Sequence, residues 1–178
     1  MIRNVFAPLI ILVTFFCCTP FWPEAAQAKK ADSANQFDTG KERIGELRLG
    51  LPEKDLQGIV PCAPSKLKEI YEGATGDYVQ TWKYPECGIV LKMSSAKRGG
   101  AKQIASITIT RPSTLQTSKS VGIGSTEKDV LEAYGRYKDR DGATSKGKRF
   151  VAGSIFDGLI FDLKDGKVTG IFLGAAAE

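Results

Sequence analysis

A seven-residue pattern occurs twice in this chain, and it constrains the fold more than any other feature. Gly50-Leu51-Pro52-Glu53-Lys54-Asp55-Leu56 returns as Gly124-Ser125-Thr126-Glu127-Lys128-Asp129-Val130, 74 positions later. Two further segments echo downstream. Cys87–Met93 aligns with Asp157–Leu163 at an offset of 70, and Ile104–Ile109 with Val168–Leu173 at 64. An offset that shrinks only across loops is the mark of a duplicated supersecondary unit.

Each copy of the pattern opens an amphipathic segment, so the expected fold class is α+β. It consists of two tandem repeats, each a short helical layer packed on an antiparallel β-meander. Unit one spans 44–110 and unit two 120–174, with 111–119 as a linker. Pro52 suits a first helical turn, and the repeat then makes Ser125 the N-cap of the second helix. Glu53, Asp55, Glu127 and Asp129 complement helix dipoles. Leu67, Ile70 and Tyr71 have helical spacing and predict a further short helix over 66–71.

Alternation predicts strands at 78–84, 88–94 and 104–109, and again at 148–156, 158–163 and 167–173. Asp157-Gly158 and Asp165-Gly166 read as hairpin turns. Ile89, Leu91 and Met93, with Leu159, Phe161 and Leu163, form the face turned to the helices. Val90, Lys92, Ile160 and Asp162 form the other face, which is mixed and suited to solvent or a partner.

The N-terminal residues read as an export signal. Arg3 is the positive n-region, Phe6–Phe16 the apolar run, and Ala26-Gln27-Ala28 a cleavage site, so residues 1–28 are expected to be removed. The run is short for a bilayer span of roughly 20 residues. Lipidation at Cys17 or Cys18 is the alternative, but Phe15 and Phe16 stand where small residues are expected. Residues 29–43 are polar and read as a flexible tether. A periplasmic or secreted location follows, and there the two remaining cysteines, Cys62 and Cys87, most simply form one disulfide.

The chain contains no histidine. This removes Ser-His-Asp and Cys-His nucleophiles and histidine metal sites. No catalytic residue, metal or cofactor is assigned. Gly142–Arg149 nearly matches a phosphate-binding loop, but Arg149 replaces the required Ser/Thr and a strand follows. Asp139–Gly142 begins like a calcium loop without its acidic twelfth residue. The net charge of +5 is too evenly mixed for a nucleic-acid footprint. What remains is a binding surface, and the candidates are Tyr78, Trp82 and Tyr84 on the exposed sheet face. Lys92, Lys97 and Arg98 stand at its rim. The partners in view are an envelope protein or target enzyme, and an anionic membrane surface for the basic loops.

The motif Gly-x-[Ser/Thr/Pro]-Glu-Lys-Asp-[Leu/Val], with the closing Gly166-Lys167-Val168-Thr169-Gly170-Ile171, resembles the BamE (SmpA/OmlA) family of bacterial envelope proteins. In tandem, over 44–174, it is similar to the β-lactamase inhibitor protein family. The resemblance implies helices on an antiparallel sheet without catalysis. The expected function is an exported, non-catalytic protein-binding module of the bacterial cell envelope, linked to outer-membrane protein assembly or maintenance. A secreted enzyme inhibitor is the alternative, and a carboxylate-dependent hydrolase a third reading.

Overall fold

The computed structural model describes residues 36–139 and 143–176. The expected export signal, Cys17, Cys18, the first part of the expected tether and Arg140–Gly142 lie outside the described residues. Eight strands form one antiparallel sheet: β1 (Ser65–Lys66), β2 (Ile70–Glu72), β3 (Asp77–Tyr84), β4 (Ile89–Ser95), β5 (Gln103–Thr110), β6 (Arg149–Gly153), β7 (Gly158–Lys164) and β8 (Lys167–Gly174). Their order is β1-β3-β4-β5-β8-β7-β6, with β2 also on β3.

The expected α+β architecture, with a helical layer in each repeat, is thereby corrected. The described molecule is mainly antiparallel sheet, with one α-helix, α1 (Glu127–Tyr134), tightening into a 3₁₀ turn to Tyr137. The first copy of the motif forms only a six-residue 3₁₀ helix, Glu53–Gly58. The reason lies in the residues around it. At α1, the N-cap Thr126 accepts from Asp129 N–H while the Asp129 carboxylate accepts from Thr126 N–H, a complete capping box. Pro52 at the equivalent position supplies no side-chain cap. Gly58 then stands where the second copy has Glu132, and Pro61 where it has Gly135. Glycine lowers helix propensity by about 1 kcal/mol and proline ends the helix. The N-cap is also one residue later than expected; Ser125 Oγ instead accepts from Gly122 N–H.

The predicted helix over 66–71 is likewise absent. These residues form β1 and β2 along the edge of β3, with Lys66 opposite Trp82 and Tyr71 opposite Tyr78. The Asp165-Gly166 turn has both residues at positive φ, as a two-residue hairpin requires. At Asp157-Gly158 the loop is longer: Ser154 N–H donates to Asp157 O, and Gly158 already belongs to β7.

The strands and the motif turns repeat in their hydrogen bonding. Gly50 N–H donates to Ile104 O and Gly124 N–H to Val168 O, each at 2.8 Å. Glu53 N–H reaches Lys102 O and Glu127 N–H reaches Gly166 O, each at 2.9 Å. The bulge between Lys92 and Met93 recurs between Asp162 and Leu163. The halves join through β5 and β8, where Ile107 opposes Leu173, Thr108 opposes Phe172 and Ile109 opposes Ile171. Under the offset of 64, Thr108 corresponds to Phe172 and Ile107 to Ile171. The junction is therefore self-complementary, as an interface across a two-fold axis must be.

One sheet face is packed. Ile89, Leu91, Met93, Ile107, Ile109, Leu159, Phe161, Ile171 and Leu173 lie in one core with Leu56, Val60, Val130 and Tyr134. The end of the expected tether belongs to this layer. The Phe37 ring lies 6.2 Å from Tyr134 and 5.5 Å from Tyr137. Glu42 is buried and accepts from Arg43 N–H, Ser118 N–H and Tyr134 O–H at 3.0, 2.9 and 3.1 Å. A buried carboxylate needs such donors, and these three tie the N-terminal segment to the 113–125 connection and to α1. Burial pushes the Tyr134 hydroxyl well above the usual tyrosine value.

Candidate binding surface

The opposite face of the sheet carries a continuous row of side chains. The strand register aligns Lys83, Val90, Thr108, Phe172, Ile160 and Val151 across six strands. The junction axis passes through its centre, between Thr108 and Phe172. Val90, Thr108 and Phe172 are half-buried, whereas Ile160 and Val151 are buried. Ion pairs flank the row on each side: Lys92 Nζ to Glu72 Oε1 at 2.7 Å, and Arg149 Nε to Asp162 Oδ1 at 2.9 Å. Such partly exposed pairs contribute little to stability. They give the face its polar borders.

The six residues predicted from the sequence do not form one surface. Trp82 and Tyr84 are core residues, 5% and 2% exposed. Trp82 opposes Leu91 and Tyr84 opposes Ile89, so both point to the packed side and not to the exposed one. Trp82 N–H donates to Gln80 Oε1 at 2.9 Å, and Lys66 Nζ lies 3.5 Å from its ring centroid. Burial raises the Tyr84 hydroxyl above its ordinary value. Lys92 lies on the row side, engaged with Glu72. Tyr78, Lys97 and Arg98 gather elsewhere, at the β1–β2 edge. Partners across the β3–β4 hairpin have residue numbers summing to 173, so even-numbered β3 residues share a face with odd-numbered β4 residues. The turn through Pro85–Cys87 and Gly88 sets that parity. Alternation alone does not reveal it, since a one-residue change in register exchanges the faces.

The β1–β2 edge contains residues that the helical reading missed. Leu67, Ile70 and Tyr71 are 46%, 58% and 59% exposed. The Tyr71 ring packs against that of Tyr78 at a tilt of 58°, centroids 5.3 Å apart, and the Arg98 guanidinium lies 5.6 Å from the Tyr78 ring. Glu69 turns inward between them. Lys102 Nζ, itself buried, lies 2.8 Å from Glu69 Oε1, and Gly99 N–H donates to Oε2 at 2.9 Å. This carboxylate pins the Lys97–Lys102 loop to the edge. Three exposed hydrophobics within five residues, between lysines, were the available signal.

Lys102, and then the Gly99 amide, hold the Glu69 carboxyl below its ordinary value. A carboxyl depressed in the folded state stabilises it above the unfolded value, and that contribution disappears as pH falls through the folded value. Acidification to below the ordinary carboxylate range should therefore release the loop before the sheet unfolds. The amide-exchange protection factor of Gly99 reads this directly. A factor constant from pH 7 down to the global acid transition would refute the anchoring role.

Near the other sheet edge, the phosphate-loop look-alike runs directly into β6. Ser145 and Arg149 pair their backbones, and Arg149 begins the strand. Cys62 and Cys87 are joined as a disulfide. No protein-family model, curated protein or solved structure matches the chain.

Proposed function

We propose that this chain is an exported, non-catalytic protein-binding module of the cell envelope, and that it holds its partner on the open face of its sheet. The accessible cross-strand row Lys83-Val90-Thr108-Phe172 carries this reading. Half-buried apolar side chains at the centre, with ion pairs beside them, match the core-and-rim composition of protein interfaces. The accessible part of the row lies on β3, β4, β5 and β8, four strands at about 4.8 Å spacing, and Ile160 and Val151 form its covered end. The disulfide suits an oxidising compartment. The likeness to BamE and to the β-lactamase inhibitor protein rests on the motif residues, and it supports an envelope partner in preference to a catalytic role.

Site-specific photocrosslinking in intact envelopes tests the surface. A photoreactive side chain at Thr108 should give a discrete protein adduct. The same group at Lys128, exposed on α1 in the opposite layer, should give none. Equal adducts at both positions, or none at Thr108, would remove the sheet face as the binding surface.

A further inference from the structure

We propose that the β1–β2 edge docks on an anionic lipid bilayer. Among the described residues, five large hydrophobic side chains are exposed, and Leu67, Ile70 and Tyr71 are three of them. They stand within one short segment whose neighbours are cationic. Lys66 and Lys68 interleave with them, and Lys97 and Arg98 flank them on the β4–β5 loop that Glu69 fastens alongside. The two carboxylates of the segment are engaged, Glu69 by Lys102 and Glu72 by Lys92. At the edge itself this leaves Lys66, Lys68, Lys97 and Arg98 as positive charges without a carboxylate of the segment to offset them. Ile70 and Tyr71 stand on opposite sides of the β2 edge, so an edge-on approach would bring both to a bilayer together with Leu67 and Lys68, combining the two attractions that hold peripheral proteins to anionic membranes.

Other occupants fit the geometry less well. An added partner strand needs a continuous edge, and this one is interrupted over 67–69. Between β1 and β2 no residue of 67–69 belongs to a strand, and Glu69 is folded inward to Lys102 and Gly99. That leaves strands of two and three residues, the blunted kind that resists pairing. A globular partner would need about 800 Å² from this side, well beyond three side chains. A bilayer demands no such complementarity. Insertion of a few apolar groups, with lysine stems reaching the headgroups, is sufficient.

Vesicle sedimentation of the full chain, its N-terminus defined by mass spectrometry, provides the test. Vesicles of phosphatidylglycerol with phosphatidylcholine are compared with phosphatidylcholine alone. The chain should sediment with the anionic vesicles and not with the neutral ones. The triple variant Leu67→Ser, Ile70→Ser, Tyr71→Ser should lose about tenfold or more in binding, with an unchanged melting temperature. Lys68→Gln with Lys97→Gln should weaken it and flatten its salt dependence. Equal binding to neutral vesicles, or full binding by the triple variant, overturns the proposal. So does a lack of binding to the anionic vesicles, and protein crosslinks at Ile70 would then make the edge a protein contact. Failure here leaves the Thr108 crosslink untouched, because the residues differ.

Discussion

Replacing Trp82 with alanine should destabilise the fold by about 3–5 kcal/mol, the range for deleting a buried tryptophan side chain. The indole stands opposite Leu91 on the packed face, and Lys66 Nζ lies over the face of its ring. The substitution opens a cavity there, removes the partner of Gln80 Oε1 and leaves Lys66 without its ring. Denaturant unfolding followed by far-ultraviolet circular dichroism measures the effect without relying on tryptophan emission. Thr108→Arg on the other face should change stability by no more than about 1 kcal/mol. Loss of partner capture by the Trp82 variant would then report damage to the sheet, whereas loss by the Thr108 variant would report the interface. A Trp82→Ala protein that unfolds at the wild-type midpoint would contradict its place in the core.

Removing the Cys62–Cys87 bridge should cost about 3.5 kcal/mol, the chain-entropy value for closing a loop of this length. The two cysteines are 25 residues apart. The bridge fastens the segment after the uncapped 3₁₀ helix, which brings Leu56 and Val60 into the core, to the turn between β3 and β4. With so short a helix and no side-chain cap, little else local holds that segment. Comparison of oxidised protein with the Cys62→Ser, Cys87→Ser variant should show a lower denaturant midpoint and a slope as steep or steeper, because the uncrosslinked unfolded chain exposes more surface. Coincident midpoints would mean that the bridge adds nothing to the folded state, and free thiols in unreduced peptides would mean that it does not form.

Local pattern specified much of this molecule. The duplicated motif marks two equivalent backbone turns, whose hydrogen bonds recur at the same offsets as the residues. β-Branched alternation places β3, β4, β5, β7 and β8 within a residue or so of where they stand, because strand propensity and a half-buried pleat leave their mark in the chain itself. Asp165-Gly166 announces its turn, since both residues must adopt positive φ.

Three matters were decided only in the folded molecule. The second copy of the motif became a helix and the first did not, because Gly58, Pro61 and an absent cap outweighed a shared heptapeptide. Leu67, Ile70 and Tyr71 kept a helical spacing yet joined the sheet, because β3 offered an open edge and Lys102 and Gly99 drew Glu69 inward. Trp82 and Tyr84 faced the core because the β3–β4 turn fixed which parity of residues met Leu91. Alternation along a strand defines two faces but does not say which one is covered. That follows from strand register and from what packs above, and both arise between segments distant in sequence.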